Sequence, residues 1–119
     1  MSALYDAATA NPAGYRDVSP ARVAEARPAV RIVDVREPPE LTGELGHIPG
    51  VERVPLGTLE SAANAWDKEQ ELVLVCRSGA RSGRAAAALS EAGFRRVMNM
   101  TGGMLAWNEA KLPVERRDG

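Results

Sequence analysis

The feature that most constrains this chain is an apolar run, Leu72–Val75, that leads directly into Cys76 and then into a short polar loop. The run has the length and β-branched content of a buried strand, and the alanine-rich segment after Ser82 has the composition of a helix. Cys76 is therefore predicted to lie where a strand passes into a helix. Because unpaired N–H groups and a partial positive charge collect at a helix N-terminus, this pattern indicates an anion-binding site around a cysteine.

The loop after Cys76 carries donors that favour a reactive thiol. The backbone N–H groups of residues 77–82 can converge above the sulfur in a strand-to-helix turn of this kind. A free thiol has a pKa of about 8.5, and we expect the helix N-terminus together with Arg77, Arg81 and Arg84 to lower it. Cys76 is therefore a candidate nucleophile. The alternative at this point is an inert cysteine at the end of a buried strand, beside solvated arginines.

The spacing between Cys76 and Arg81 separates two chemistries that share this geometry. In cysteine-dependent phosphatases the arginine comes one residue later, at the position that Ser82 occupies here. The loop is thus one residue too short for a phosphoryl cradle. The chain also has a single cysteine, which leaves no resolving thiol for an arsenate reductase. A phosphatase or arsenate reductase is kept only as an alternative.

Length, charge and residue counts limit the remaining classes. The chain has 119 residues, a net charge of -1 at pH 7 and 45% hydrophobic residues, which fits one globular domain with one core. We expect residues 1–14 to form an N-terminal extension and residues 15–119 to form the domain. The near-neutral charge gives no reason to expect nucleic acid or a membrane as a partner. One cysteine and one histidine fall short of the usual zinc ligand set, so no metal site is predicted.

The N-terminal residues contain neither the basic segment nor the apolar segment of a secretory signal. No apolar run approaches the roughly 20 residues that span a bilayer. A lone reactive thiol fits a reducing compartment. We therefore expect a cytoplasmic protein.

Strands and helices alternate along the predicted secondary structure. Ser19 is a candidate N-cap for a helix that starts at Pro20 and ends near Pro28. Strands are predicted at residues 30–35, near Val54, at Leu72–Val75 and at residues 97–100. Helices are predicted at residues 56–66, 81–92 and 104–110, and residues 36–50 are predicted to form an ordered loop. This alternation favours an α/β fold with a parallel sheet covered on both faces.

Open sheets of this kind bind ligands outside the carboxyl ends of their strands. Cys76 comes at such an end, as do Asp34 with Arg36 and Thr101 with Gly102. The strand pattern therefore indicates the same site as the cysteine loop.

Four motifs occur in the order in which the rhodanese family has them. Cys-Arg-Ser-Gly-Ala-Arg-Ser at residues 76–82 resembles the family's active-site loop. Ile-Val-Asp-Val-Arg-Glu-Pro at residues 32–38 and Gly-His-Ile-Pro-Gly at residues 46–50 resemble its earlier signatures, and residues 92–107 resemble its C-terminal pattern. The resemblance covers residues 18–114. It implies a rhodanese-like α/β fold with a mostly parallel sheet of about five strands and helices on both faces.

The resemblance also implies an activity. Cys76 would attack a sulfane sulfur, carry it as a persulfide and pass it to an acceptor, without a cofactor. The donor would be thiosulfate or a persulfide, and the acceptor a thiol, cyanide or a protein cysteine. The residues expected to hold the anion are those of the loop, namely Arg77, Ser78, Gly79, Ala80, Arg81 and Ser82. Three residues are expected to support the site: Asp34 and Arg36 as an ion pair or loop anchor, and His47 through a hydrogen bond that fixes its loop.

Two further alternatives stay open. The first is a persulfide relay module that serves one specific partner protein. The second is a catalytically silent regulatory domain, which the presence of Cys76 disfavours.

Overall fold

The computed structural model describes residues 3–27 and 29–116, and within them a six-stranded sheet runs through the centre of the molecule. Its strands are β1 (Thr9–Ala10), β2 (Arg16–Val18), β3 (Arg31–Asp34), β4 (Glu52–Arg53), β5 (Leu72–Val75) and β6 (Val97–Met100). They lie in the order β1-β2-β6-β5-β3-β4. The β1–β2 pair is antiparallel and every other pair is parallel.

Six α-helices occur in the same described ranges. They are α1 (Leu4–Ala7), α2 (Pro20–Ala26), α3 (Pro38–Leu41), α4 (Leu59–Ala63), α5 (Ala80–Glu91) and α6 (Gly103–Glu109), and a 3-10 turn, Leu56–Thr58, precedes α4. None of the helices in this part of the chain is long and apolar enough to cross a membrane.

The central strand β5 is buried on both faces, as its continuous apolar sequence predicts. Alternate residues of β5 belong to two separate apolar clusters. Leu72 and Leu74 pack with residues of α4 and α5, whereas Val73 and Val75 pack with residues of α2 and α6. The sheet therefore has helices on both faces. Cys76, which follows β5, is buried in the cluster that includes α4 and α5.

Most of the predicted elements are confirmed. Ser19 caps α2, since its Oγ accepts a hydrogen bond of 3.3 Å from the N–H of Arg22. The helix ends at Ala26, and the predicted stop at Pro28 lies outside the described residues. Strands β3, β5 and β6 and helices α5 and α6 occur within one residue of the expected bounds.

The differences concern short elements and one helix face. Strands β1 and β2 were not expected, because they are only two and three residues long and show no alternating pattern. The segment 56–66 is a 3-10 turn followed by a short helix, and Leu56 remains 38% exposed. The sequence pattern predicts that Ala85, Ala88, Leu89 and Ala92 form the buried face of α5. In the structure the buried residues are Ser82, Gly83, Ala85, Ala86 and Leu89, whereas Ala88 and Ala92 are exposed.

Candidate active site

The site lies at the carboxyl edge of the sheet, where β5 ends at Cys76. Asp34 of β3 pairs in register with Val75, and Thr101 follows β6 at the same edge. Gly79 then adopts a φ of +98°, in the left-handed region that favours glycine, and acts as the N-cap of α5. Gly79 thereby turns the chain from the strand into the helix within three residues of Cys76.

Hydrogen-bond donors converge on the sulfur of Cys76, which is completely buried. The N–H groups of Gly79 and Ser82 lie 3.1 Å and 3.4 Å from Sγ, and the Ser82 hydroxyl lies 3.2 Å from it. Burial raises the pKa of the Cys76 thiol, but hydrogen bonds from Ser82, Gly79 and the Ser78 backbone outweigh it and leave that pKa below its ordinary value. The site therefore increases the fraction of Cys76 that is ionised as a thiolate.

A buried asparagine supports this arrangement from β6. Oδ1 of Asn99 lies 2.6 Å from the Ser82 hydroxyl, and Nδ2 of Asn99 donates to the Gly79 carbonyl over 3.3 Å. Asn99 thus holds both residues whose N–H groups contact the sulfur. Sequence reasoning did not single out Asn99, although an amide inside an otherwise apolar strand is a signal that could have found it.

The arginines of the loop occupy different places. Both terminal nitrogens of Arg81 contact the Glu40 carboxylate, at 2.9 Å and 2.8 Å. Arg77 is exposed and lines a neighbouring cleft, while Arg84 is exposed on the following turn of α5. Hydrogen bonds are the main causes of the lowered pKa of Cys76, and a Coulombic interaction also couples the charge of Arg81 to Cys76.

Ser78, Ala80 and Ser82 also differ in role. Ser78 and Ala80 are exposed, and Ser78 reaches the sulfur through its backbone. Ser82 is buried on the first turn of α5, where it contacts the sulfur instead of capping the helix. The Ser82 hydroxyl therefore points at Cys76.

Asp34 and Arg36 form the expected ion pair beneath this site. Their closest contact is 2.8 Å, and the two side chains are 0% and 1% exposed. Arg36 also donates to the carbonyls of Gly46 and Glu40, at 2.7 Å and 3.3 Å. This pair therefore ties the end of β3 to the segment 40–46, which forms one wall of the cleft.

His47 fixes the same segment from its other end. Its Nδ1 lies 2.8 Å from the Leu41 carbonyl, and its backbone forms a two-way bridge with Glu115, with both bonds at 2.8 Å. The ring is buried, and its Nδ1 contacts the backbone of the loop. This geometry is the loop-fixing hydrogen bond that the sequence led us to expect, and it does not bring His47 to the sulfur.

A cleft of about 300 Å³ lies beside the cysteine loop. Its lining includes Arg36, Glu40, Glu44, Arg77 and Leu105. The N–H of Leu105 bonds to the Arg77 carbonyl at 3.0 Å, so α6 and the cysteine loop form one rim together. Arg77 is the residue of the cysteine loop that lines this cleft.

The fold and the site together define a known class of protein. A model of the rhodanese-like domain matches residues 19–110, more than half of the chain. This chain belongs to the rhodanese-like domain family.

Particular relatives agree with this assignment. A protein of Allochromatium vinosum named sulfurtransferase is 37% identical over 76% of this chain and 82% of its own length. YrkF of Bacillus subtilis, named as a proposed sulfur carrier protein, is 42% identical over 66% of this chain. The chain spans only 42% of YrkF. The solved structure of a rhodanese-related protein from Thermoplasma volcanium has a TM-score of 0.78 at 29% identity and covers 87% of this chain and 100% of its own.

Proposed function

We propose that this protein is a sulfurtransferase that carries a sulfane sulfur on Cys76 as a persulfide. The observation that carries the proposal is the convergence of two N–H groups and one hydroxyl on the buried Sγ of Cys76. These donors stabilise an anionic sulfur, and a persulfide, like a thiolate, places its negative charge on sulfur. Membership of the rhodanese-like family and the relatives named as sulfurtransferase and sulfur carrier support the same chemistry.

The reaction consists of two displacements at sulfur. The Cys76 thiolate attacks the outer sulfur of thiosulfate, an S–S bond forms at Cys76, the S–S bond of thiosulfate breaks, and sulfite leaves with the electron pair. In the second step an acceptor such as cyanide attacks the terminal sulfur. The Cys76 thiolate is released, and thiocyanate is the product. Charge and atoms balance in both steps, and no external oxidant, reductant or cofactor is required.

The roles of the other residues follow from their contacts. We propose that the loop from Arg77 to Ser82 holds the anion, chiefly through backbone N–H groups and the Ser82 hydroxyl. Asp34, Arg36 and His47 keep the loop and the cleft wall in place. His47 is not needed as a base, since the lowered pKa of Cys76 already increases the fraction of thiolate. The domain that performs this chemistry is proposed to be residues 15–119.

A second candidate is a relay that passes the sulfur to one specific protein. The observation that favours it is Leu105, which is 38% exposed at the rim of the cleft. An apolar side chain beside the nucleophile is suited to a protein surface that brings its own cysteine. Faster transfer to one protein thiol than to cyanide or a small thiol would identify the relay.

Initial-rate kinetics test the proposed function. Rates are measured at several concentrations of donor and of cyanide, because a persulfide intermediate requires ping-pong kinetics. We expect parallel lines in double-reciprocal plots and no activity in Cys76→Ser. The control Ser78→Ala removes an exposed hydroxyl beside the nucleophile and should retain activity. Intersecting lines would indicate direct transfer between two bound substrates and would refute the persulfide cycle.

A further inference from the structure

The guanidinium of Arg81 is paired with the carboxylate of Glu40. Both of its terminal nitrogens are bonded to the two carboxylate oxygens, at 2.9 Å and 2.8 Å. Such a two-fold contact pairs one edge of the guanidinium with the carboxylate and fixes their relative orientation. Each side chain is about one third exposed, and Glu40 lines the cleft beside the cysteine loop.

Glu40 is itself fixed in position. It occupies the third position of α3, where its Oε1 accepts a hydrogen bond of 3.0 Å from the N–H of Glu37 in a capping box. The hydrogen bonds from Arg81 lower the pKa of Glu40 to about 2, and hence Glu40 is charged at any physiological pH. The carboxylate is therefore a permanent feature of the cleft wall.

The charges around the cleft nearly cancel. Arg36 is neutralised by the buried Asp34, and Arg81 is neutralised by Glu40. Within the described part of the chain, Arg77 is the one arginine lining the cleft without an ion pair, and Glu44 lines the same cleft with a negative charge. A dianion that approaches the Cys76 thiolate thus meets little net positive charge.

We propose that the Glu40–Arg81 pair sets donor selectivity, so that the preferred donor is a persulfide with one negative charge rather than a dianion such as thiosulfate. The inference rests on the proposed function, which it narrows to one class of donor. A dianion must be stabilised beside a thiolate by local positive charge, and Glu40 cancels the charge that Arg81 would supply. A singly charged persulfide requires less positive charge, and the N–H groups of the loop are sufficient to stabilise it.

The sulfur transfer from such a donor balances without further reagents. The Cys76 thiolate attacks the outer sulfur of an ionised persulfide. A new S–S bond forms at Cys76, the S–S bond of the donor breaks, and the donor leaves as its thiolate. Two negative charges are present before the step and two after it.

The test compares two donors on the full chain. Thiosulfate is the dianion, and cysteine persulfide is the donor with a single net negative charge when its sulfur is ionised. The quantity measured is the ratio of kcat/KM for thiosulfate to kcat/KM for cysteine persulfide. Glu40→Gln keeps the side-chain length and an acceptor for the α3 cap but frees the charge of Arg81. Glu44→Gln is the matched control, because it removes a charge from the same cleft without releasing an arginine.

We expect Glu40→Gln to raise the ratio by about fivefold, and Glu44→Gln to change it by less than half as much. An unchanged ratio in Glu40→Gln, or an equal rise in both variants, would overturn the inference while leaving the sulfurtransferase activity intact. Failure of the wild-type protein to accept sulfur from either donor is a different result. It would overturn the proposed function and, with it, this inference.

Discussion

The hydroxyl of Ser82 lies 3.2 Å from Sγ of Cys76, and no other side-chain hydroxyl in the described residues has a hydrogen bond to that sulfur. The same oxygen lies 2.6 Å from Oδ1 of Asn99. Because a hydroxyl has one proton, it can serve only one of these two acceptors at a time. A charged sulfur is the stronger acceptor, so formation of the thiolate draws the proton toward Cys76.

Removal of this hydroxyl should destabilise the thiolate form of Cys76 relative to the thiol. In Ser82→Ala the pKa of Cys76 is expected to rise toward its ordinary value, because the strongest hydrogen bond that lowers it is lost while burial, which raises it, remains. We expect alkylation by iodoacetamide near neutral pH to slow by about tenfold. Alkylation rates measured across a pH series test this. Ser78→Ala is the control, and equal pH profiles for Ser82→Ala and the wild type would contradict the assignment.

The close approach of α6 to the cysteine loop should make Gly103 intolerant of a side chain. Gly103 has a φ of +55°, and an added Cβ would lie 2.5 Å from the Cys76 carbonyl oxygen and 2.6 Å from the Arg77 carbonyl carbon. Gly103→Ala is expected to reduce the free energy of unfolding by about 3 kcal/mol, combining backbone strain with overpacking. Urea denaturation measures this change.

Gly50→Ala supplies the matched control for that substitution. Gly50 also has a positive φ, of +78°, but an added Cβ there meets nothing within 4 Å. We expect its cost to be only about 1 kcal/mol, the backbone penalty alone. Similar losses in the two variants would show that the contact between α6 and the loop is not tight.

Removal of one partner of the buried Asp34–Arg36 ion pair should destabilise the fold. Arg36→Leu leaves Asp34 uncompensated with 0% exposure, and we expect a loss of about 3 to 5 kcal/mol of folding free energy. The exposed pair of Arg95 and Glu69, separated by 3.8 Å, provides the comparison, since Arg95→Gln should cost less than about 1 kcal/mol.

A double variant keeps this prediction testable if Arg36→Leu does not fold. Asp34→Asn combined with Arg36→Leu removes both charges and should be more stable than Arg36→Leu alone. If the double variant is the less stable of the two, uncompensated charge is not the cause of the loss.

The Glu40–Arg81 pair predicts a pH dependence of stability. Hydrogen bonds from Arg81 hold the pKa of Glu40 at about 2, below its ordinary 4.5. A lowered carboxylate pKa stabilises the fold above the ordinary value, and this contribution is lost as pH falls through the folded value. The pair is partly exposed and screened by solvent, so its contribution is about 1 kcal/mol.

Urea denaturation of the wild type and Glu40→Gln over a pH series measures this contribution. We expect Glu40→Gln to be the less stable protein above pH 4.5 and the difference to disappear toward pH 2. Glu44→Gln should show no comparable dependence. A difference that stays constant down to about pH 2 would mean that the Glu40 charge is not its source.

The contrast between Gly79 and Glu40 shows which parts of the site could be predicted from sequence. Gly79 and Ser82 follow Cys76 within six residues, so the local strand-to-helix turn fixes their geometry. Glu40 is separated from Arg81 by 41 residues, and its position depends on a four-residue helix held by a capping box and by Arg36. The sequence predicted Arg81 as an anion ligand, and its pairing with Glu40 could not be predicted because the two residues are so far apart in the chain.

The fold shows the same division. Strand β5 and helix α5 have patterns that determine them locally, and both were predicted within one residue. Strand β1 is two residues long and is defined by its pairing with β2. No periodic sequence pattern predicts this pairing. Asn99 lies 17 residues from Ser82, and only the parallel pairing of β6 with β5 brings it to the loop.

The most direct test of the central claim is the intact mass of the reduced protein after incubation with a sulfane donor and removal of the excess. Thiosulfate and cysteine persulfide are each used, and Cys76→Ser is treated in parallel. The account predicts a gain of one sulfur atom per chain that cyanide removes and that Cys76→Ser does not acquire. No gain with either donor, or an equal gain in Cys76→Ser, would contradict the assignment of Cys76 as the sulfur carrier.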